Sequence, residues 1–509
     1  MNSKRAETGG AVSPGVFILG CGTMQIPSLR IAGEMGWRVY GADGNDRAEG
    51  RSLCRRFFHV DLKDIDGLTA AARTIREEEG LDGVFTAGTD FSYAVARVAE
   101  ALGLPGHPSK AALLATDKAA MRQCFRKAGV PSPDFAEIGP EDDPAELASA
   151  VPGPWVVKPV DSMGARGVVR IDRPEKLPEA LDKARTYSRS GRALLETYME
   201  GPEYSLDALV EDGRLIPCGL ADRHIFYPPY FIEMGHTIPS AVSPEDAAAL
   251  WDVMEQGVKA LGLTRGAAKG DVKLTPRGPV IGEIAARLSG GYMSGWTYPA
   301  SSGIEPSRGA LRLALGWDAA LPGASVSLVC AERALTGIDG TVRVLDGKEK
   351  ALSLPGVQEV FLRLGAGERV SFPRNNVEKA GNVIVTGANR SEAEQRAAAA
   401  LQALNLELDP SDLSTGVYLD DTAAFPPDCF ERGGTSEAGS VFFRFLDTLW
   451  KQFPPQPSRG CPVNCPGIFA PEPSEKPLEG STAQIQADFW KALVRGGLPG
   501  ARWYLEHRL

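Results

Sequence analysis

The chain has 509 residues, of which 43% are hydrophobic and 24% charged, and 55 Lys and Arg against 65 Asp and Glu give a net charge of −10. This length is too great for one hydrophobic core, so roughly three or four domains are expected. The acidic balance disfavours nucleic acid or an anionic membrane surface as the main partner. The start of the chain lacks a signal-peptide core, no apolar run reaches about 18 residues, and the eight cysteines are scattered. These features predict a cytoplasmic protein with reduced thiols.

The N-terminal part of the chain alternates strand and helix patterns. Strands are expected at Val16–Leu19, Trp37–Asp43 and Gly83–Thr86, with helices running up to Met35 and over Leu68–Glu79. This alternation predicts a Rossmann-like parallel sheet, in a domain that we place at residues 1–108.

A glycine turn follows the first of these strands. Gly20 and Gly22, together with Asp43 at the end of the second strand, form part of a dinucleotide-binding fingerprint. Gln25 stands where the fingerprint requires its third glycine, which weakens the case for NAD. A doubly wound domain that uses this turn for another ligand, or only for packing, is the preferred interpretation.

A strand, a glycine-containing loop and a second strand follow from Trp155, with the sequences WVVKPV, DSMGARG and VVRI. The glycines allow backbone N–H groups to approach an anion, and Lys158 supplies compact positive charge at the end of the first strand. The loop is not a Walker loop, since no Gly-Lys-Ser/Thr closes it. A plain hairpin turn remains the alternative for this segment by itself.

Two acids follow in the segment LLETYMEGPEYSLDALV. Glu196 lies at a strand end, where an open backbone edge is a common place to bind a purine ring. Glu203, seven residues further on, could accept hydrogen bonds from ribose hydroxyls. Taken alone, both are equally well explained as surface acids beside a turn.

A second pair of acids is predicted to face each other across a hairpin. The runs Ala268–Thr275 and Pro279–Ala285 are joined by a short turn, and folding the chain about Arg277 sets Asp271 opposite Glu283. Two carboxylates about 5 Å apart repel unless a cation lies between them or one is protonated. A hard divalent cation, above all Mg²⁺, meets this demand. A bulge at Gly278 could shift the register by one residue.

The remainder of the chain divides into a smaller α+β unit and a tail rich in Pro and Gly. The α+β unit has strands around Val342, Val360 and Val383 and an Ala-rich helix over Glu392–Leu404. The tail contains two expected helices and one close cysteine pair, where the lack of a second Cys/His pair at metal spacing disfavours zinc. These features of the tail are Ser440–Gln452, Thr482–Arg495, Cys461 and Cys465.

The order of these segments resembles the ATP-grasp superfamily, and more closely its carboxylate–amine ligases of the L-amino-acid ligase type. The resemblance covers roughly residues 15–410 and rests on TDKAAMRQCFRKAGVPSPDF, WVVKPVDSMGARGV, LLETYMEGPEYSLDALV and GEIAARLSGG. It implies an α/β protein with a Rossmann-like pre-ATP-grasp domain, an ATP-grasp fold of two α+β lobes and a smaller C-terminal α+β domain. The implied boundaries are 1–108, 109–324 with a glycine-loop lobe at about 130–195, 325–420, and an extension of unknown role at 421–509.

The resemblance also implies roles for individual residues. Lys118, Lys158 and the loop from Ser162 to Gly167 should contact the phosphates of ATP, and Arg287 should hold the substrate carboxylate or its acyl phosphate. Asp271 and Glu283 become ligands of Mg²⁺ or Mn²⁺. The residues expected around ATP are Lys118, Lys158, Ser162, Met163, Gly164, Gly167, Glu196, Tyr198, Met199 and Glu203.

Two departures from the family pattern concern the metal site. Ala285 stands where the usual signature Glu-x-Asn-x-Arg has a metal-binding asparagine, so water, phosphate or another side chain must complete the metal's ligand shell. Asp271 replaces a longer acid or amide. His236 is expected in the substrate site, and Arg223 and His224 are weaker candidates there.

The predicted activity is formation of an amide or peptide bond through an acyl phosphate, with release of ADP and phosphate. One alternative is a synthetase or carboxylase acting on a nucleotide-like or bicarbonate substrate. A second is an NAD-dependent oxidoreductase, and a third is a nucleotide-binding regulator without catalysis. Small-molecule acids and amines are the expected partners, with a homodimer as the assembly common among such ligases.

Overall fold

The computed structural model describes residues 13–139, 142 and 144–420, and the single positions 492, 496, 500, 503, 504, 506 and 507. The cysteine pair and the expected helices of the tail lie outside the described residues, apart from Ala492. The chain divides into two compact units, the first comprising Met1–His224, Gly235–Glu332 and Ile384–Glu394, and the second Ile225–Met234, Arg333–Val383 and Gln395–Leu509. The domain boundaries expected from sequence remain a prediction.

The first unit begins with a four-stranded parallel sheet, as predicted. Its strands lie in the order β3-β2-β1-β4, and β1 is buried along its whole length, which is typical of a parallel sheet covered on both faces. The elements of this region are β1 (Gly15–Leu19), α1 (Ile26–Glu34), β2 (Arg38–Asp43), β3 (Arg56–His59), α2 (Ile65–Glu78), β4 (Gly83–Phe85), α3 (Ser92–Ala101) and α4 (Ser109–Leu114). The sequence patterns had missed β3, α3 and α4.

A helix and a small antiparallel sheet follow. The side chain of Asp117 accepts a hydrogen bond from Ala120 N and caps the helix α5, which ends at Gly129 in a left-handed conformation. The sheet has the strand order β5-β8-β6-β7. The elements are α5 (Lys118–Ala128), β5 (Phe135–Ile138), α6 (Pro144–Ala150), β6 (Trp155–Pro159), β7 (Val169–Ile171), α7 (Leu177–Tyr187) and β8 (Ala193–Thr197).

A larger antiparallel sheet completes the core of the first unit. Its strands run in the order β13-β12-β9-β10-β11, and α8 packs on β12 and β13 through a buried cluster that includes Met254, Val258 and Ile284. The elements are β9 (Glu203–Glu211), β10 (Arg214–Phe226), β11 (Ile232–Ile238), α8 (Pro244–Leu261), β12 (Gly266–Thr275), β13 (Gly278–Ala285), α9 (Tyr298–Ser302) and α10 (Pro306–Ala314).

The second unit has its own aromatic core, in which Phe372 stacks on Tyr418 and packs with Trp503. Three strands form a sheet in the order β17-β15-β19. The last elements along the chain are β14 (Val329–Leu335), β15 (Gly340–Asp346), α11 (Lys348–Leu352), β16 (Val357–Leu362), β17 (Arg369–Val370), β18 (Gly381–Gly387), α12 (Arg390–Ala403), β19 (Asn405–Leu408) and α13 (Leu413–Asp420). Within the described part of the chain, no helix is both long and apolar enough to cross a membrane.

Candidate active site

The hairpin of β12 and β13 pairs Asp271 with Glu283, as predicted, although the turn differs from the expected one. Thr275 pairs with Gly278 across a two-residue turn, and the register then shifts by one residue between Val272 and Asp271. The extra residue on β13 is Gly282, so the bulge lies beside the acids rather than at Gly278. The shift restores the pairing that folding about Arg277 had predicted.

Glu283 is surrounded by positive charge. Burial favours the neutral acid, but nearby cations outweigh it and hold the pKa of Glu283 at about 2. Glu283 Oε1 lies 3.5 Å from Lys118 Nζ. The contributing cations are Lys118, Lys269, Lys158 and Arg287. Glu283 is therefore a carboxylate at neutral pH, as a metal ligand must be.

Asp271 is also held by cations, and its oxygens retain capacity for a ligand. Its Oδ2 pairs with Lys269 Nζ, and its Oδ1 lies 2.9 Å from Arg223 Nη1. That Oδ1 atom is buried without a hydrogen bond of acceptable geometry. Among the described residues, no group of three or more His, Cys, Asp or Glu side chains could hold a metal. Two facing acids with oxygen ligands fit a hard cation whose remaining ligands would come from phosphate and water.

Two buried lysines lie beside this hairpin. Lys118, in the first turn of α5, donates to the carbonyl of Ser162 at 2.7 Å. Lys158, on β6, contacts Glu196 Oε2 at 2.5 Å. Burial lowers the pKa of Lys158 from its ordinary value, while the Glu196 carboxylate opposes that shift. The structure thus brings both predicted phosphate lysines to the same end of the small lobe.

The loop between β6 and β7 has the backbone freedom that its glycines suggested. Gly164, Ala165 and Gly167 all have positive φ angles, of 70°, 59° and 72°. A side chain at Gly167 would press on Tyr187 at 3.0 Å, so this glycine is also required for packing. Loops of this geometry can direct successive backbone N–H groups towards an anion.

The segment after β8 leaves the backbone amide of Met199 open. The amides of Thr197 and Tyr198 donate to the carbonyls of Asp134 and Pro154, at 2.9 and 2.7 Å. The Met199 carbonyl accepts from Lys273 Nζ at 3.1 Å, whereas the Met199 amide has no hydrogen-bond partner in the described part of the chain. An exposed amide at this position is what recognition of a purine edge requires.

A charged face on the central sheet was only partly foreseen. In register across β10, β9 and β12, Arg223, Glu203 and Lys273 form one row, and Ser205 and Asp271 lie in the next row with Glu283 on β13. Asp207 and Lys269 form a third row. Lys269 and Lys273 were not predicted as site residues, although their alternation with Asp271 along β12 is the signal that places all three on one face.

Glu203 is paired with cations in this structure. Its carboxylate contacts Arg223 Nη1 and lies 3.9 Å from Lys273 Nζ. Lys273 Nζ also lies 4.8 Å from the centre of the Tyr198 ring, and the guanidinium of Arg170 lies 4.3 Å from that centre. Glu203 and Tyr198 therefore belong to one charged network beside the open Met199 amide.

Arg287 and His236 occupy different surroundings. Arg287 Nε donates to the carbonyl of Thr89 at 3.0 Å, in the loop that follows β4. His236 is completely buried, with Nε2 2.8 Å from Thr297 Oγ1 and Nδ1 3.3 Å from Glu332 Oε2. The ring of His224 contacts the hydroxyl of Thr237 at 2.9 Å. Of the two predicted catalytic side chains, Arg287 is the one that the structure brings to the edge of the N-terminal sheet.

The N-terminal glycine turn is occupied by the protein's own groups. Asp43 accepts hydrogen bonds from the amides of Cys21 and Asn45, at 2.7 and 2.8 Å. Gly50, in a short 3₁₀ helix, donates to the carbonyl of Cys21 at 2.7 Å. The acid that a dinucleotide ribose would need is thus used to close the turn, which favours the packing interpretation.

A cavity of about 760 Å³ lies next to the Met199 segment, but the residues predicted to bind phosphate and metal do not line it. Its walls include the turn of the β12–β13 hairpin and the chain segments at the two ends of the glycine-loop lobe, which are Pro131–Asp134 and Thr197–Glu200. The candidate site is therefore defined by converging side chains rather than by this cavity.

Comparison with known domains and proteins agrees with this geometry. The chain matches an ATP-grasp N-terminal domain over residues 32–106, an ATP-grasp domain over 151–295, and the L-amino acid ligase C-terminal domain 2 over 334–409. The chain therefore carries ATP-grasp domains, and these matches support the class of ATP-dependent ligases that form C–N bonds. Within that class its C-terminal region is of the L-amino acid ligase type.

Individual relatives lie at low sequence identity. Carnosine synthase 1 of Mus musculus is 25% identical over 389 residues, which cover 70% of this chain and 46% of that protein. The D-alanine–D-alanine ligase of Ectopseudomonas mendocina is 30% identical over 179 residues, 34% of this chain and 56% of the relative. The chain thus spans about half the length of each of these two relatives.

A solved structure shows the same fold. The L-amino acid ligase from Bacillus licheniformis superposes with a TM-score of 0.68 at 22% identity, covering 79% of this chain and 100% of the other. The predicted ATP-grasp architecture is confirmed.

Proposed function

We propose that this protein is an ATP-dependent carboxylate–amine ligase that forms an amide or peptide bond and releases ADP and phosphate. The observation that carries the proposal is the convergence of Lys118, Lys158 and the facing acids Asp271 and Glu283 at one end of the glycine loop. Phosphoryl transfer needs positioned positive charge more than covalent chemistry from the protein. The C-terminal domain of L-amino acid ligase type supports amino acids as both substrates.

The proposed contacts with ATP follow from these surroundings. The two buried lysines and the glycine loop would bind the phosphates, and the Met199 amide with the Glu196 carbonyl would bind the adenine edge. Glu203 would accept from the ribose once it is released from its cations. The residues proposed to contact ATP are Lys118, Lys158, Ser162, Met163, Gly164, Gly167, Glu196, Tyr198, Met199 and Glu203.

The proposed reaction has two steps. A carboxylate oxygen of the acid attacks the γ-phosphorus, the bond from that phosphorus to the β-phosphate oxygen breaks, and ADP leaves. The amine nitrogen then attacks the acyl carbon, loses its proton, and expels phosphate. Mg²⁺ held by Asp271 and Glu283 would neutralise charge on the phosphate oxygens. Arg287 would hold the carboxylate and then the acyl phosphate.

His236 is proposed to shape the substrate pocket without contacting the reacting atoms. Because its ring is buried against Thr297 and Glu332, it would hold the segment that includes Thr297 as part of the pocket wall. Its replacement is therefore expected to change the preference among substrates more than the phosphoryl transfer itself.

A release assay tests the proposed function. Purified protein is incubated with ATP, Mg²⁺ and pairs of amino acids, ADP is measured, and the product is identified by mass spectrometry. We expect ADP and phosphate to form in equal amounts with an amide whose mass is that of the two substrates less one water. AMP and pyrophosphate with the correct pair, or nicotinamide binding in place of ATP turnover, would overturn the proposal.

A further inference from the structure

Arg122 is a buried arginine that none of the roles above uses. It lies on α5 one helical turn after Lys118, and its side chain is fully buried. Its Nε lies 2.6 Å from Glu196 Oε1, and its Nη2 donates to the carbonyl of Gly282. The two partners are 74 and 160 residues away in sequence. One guanidinium therefore joins Glu196, at the end of β8, to Gly282 in the hairpin of β12 and β13.

The Gly282 carbonyl belongs to the bulge that pairs the acids. Near the turn, Thr275 faces Gly278; that register, continued without a bulge, would set Asp271 opposite Gly282. Side chains alternate along a strand, so a shift of one residue would turn Glu283 to the other face. A bulged residue loses its regular ladder partner, and Arg122 supplies the carbonyl of Gly282 with a donor instead.

The other edge of the guanidinium acts on the nucleotide side. Glu196 accepts from Arg122 through Oε1 and contacts Lys158 through Oε2, at 2.5 Å. Its carboxylate is thus held twice, whereas Arg122 is the side chain that donates to the Gly282 carbonyl. Loss of Arg122 would leave Glu196 with its lysine but would leave the bulge unsupported.

We propose that Arg122 is a positioning residue that fixes the register of Asp271 and Glu283 and so couples nucleotide binding to metal binding. The inference rests on the proposed function, since it assigns the acid pair to the metal of an ATP site. If Arg122 only stabilised the core, its replacement would lower stability and would not weaken nucleotide binding selectively when Mg²⁺ is present.

The test compares ADP binding with and without metal. Isothermal titration calorimetry measures the affinity for ADP in Mg²⁺ and in EDTA, for wild type and Arg122→Lys. We expect the variant to lose about tenfold or more in the affinity measured with Mg²⁺, the usual loss when a residue supporting metal ligands is replaced. The affinity in EDTA should be unchanged, because Lys158 still holds Glu196.

A matched control and a second variant complete the design. Arg126 lies one turn further along α5 and donates to the carbonyl of Phe135 at the surface, so Arg126→Lys should behave as wild type in both titrations. Gly282→Ala disturbs the bulge directly, since an added Cβ would lie 3.1 Å from the carbonyl oxygen of Asp271. It should reproduce the selective loss with Mg²⁺, and it decides the test where Arg122→Lys does not fold.

Two results would overturn the inference. One is wild-type affinity with Mg²⁺ in both variants, and the other is an equal loss with Mg²⁺ and in EDTA. Neither titration contains an acid or an amine. If the protein binds MgADP but turns over no substrate pair, the proposed ligase activity is wrong, whereas the inferred role of Arg122 is unaffected.

Discussion

The glycine turn after β1 and the hairpin of β12 and β13 both look like ligand sites in the sequence. In the fold, the acid at the turn is hydrogen-bonded within the protein, whereas the acids at the hairpin remain available to a ligand. At the turn, Asp43 is used up by the amides of Cys21 and Asn45. At the hairpin, nearby cations hold Glu283 as a carboxylate, and Asp271 has a buried oxygen without a hydrogen bond. A motif becomes a site when the fold leaves its polar groups available.

The largest expected effect is the loss of ADP formation when Glu283 of the hairpin is changed. Glu283→Gln keeps the shape of the side chain but removes the charge that faces Lys118 at 3.5 Å. We expect ADP formation to fall by at least about a hundredfold, the scale for losing one element of charge stabilisation at a reacting centre. The measurement is ADP release at saturating MgATP. Turnover that persists at the wild-type rate with the usual dependence on Mg²⁺ would show that the metal lies elsewhere.

The matched change at the glycine turn should affect stability instead. Asp43→Ala leaves the amides of Cys21 and Asn45 without their acceptor. We expect the free energy of unfolding to drop by about 2 kcal/mol, with ADP affinity unchanged in the folded protein. Denaturant titration and calorimetry measure the two quantities. A large loss of nucleotide affinity with unchanged stability would restore the turn as a ligand site.

Much of this arrangement was accessible from sequence because it depends on local pattern. Hydrophobic alternation located β12 and β13, and counting from the turn paired Asp271 with Glu283. The count succeeded although the turn is tighter than assumed, because the bulge at Gly282 compensates. Arg122 could not be foreseen as a contact of Gly282, since periodicity gives the face of a helix and not the distant backbone that it meets.

His107 is expected to make the stability of the fold depend on pH. Its Nε2 bonds to the Ala267 carbonyl, and its Nδ1 accepts from the amides of Thr264 and Arg265. Burial lowers the pKa of His107 from 6.5 to about 4. The unfolded chain therefore binds a proton at a pH where the folded chain does not, so stability is full above pH 6.5 and declines towards pH 4.

The decline attributable to His107 is up to about 3 kcal/mol, from the size of the pKa shift. Denaturant titrations between pH 7 and pH 4 should show it in wild type and show a flatter profile in His107→Gln. His59→Gln, at an exposed histidine, is the control and should keep the wild-type slope. A variant at His107 with the full wild-type slope would mean that other groups produce the acid sensitivity.

The smallest expected effect concerns an ion pair between the glycine loop that joins β6 to β7 and the loop that follows β4. Arg166, in the glycine loop, lies with Nη2 3.4 Å from Asp90 Oδ2, in the loop after β4, and both side chains are partly exposed. Arg166→Met should change the free energy of unfolding by less than about 1 kcal/mol, as partly exposed ion pairs contribute little. If the pair holds the glycine loop over the phosphates, the same variant should raise the KM for ATP with little change in kcat. Asp90→Asn should give the same shift, because either change removes the same attraction. A raised KM in Arg166→Met but not in Asp90→Asn would place the action of Arg166 on ATP itself rather than on the loop that follows β4.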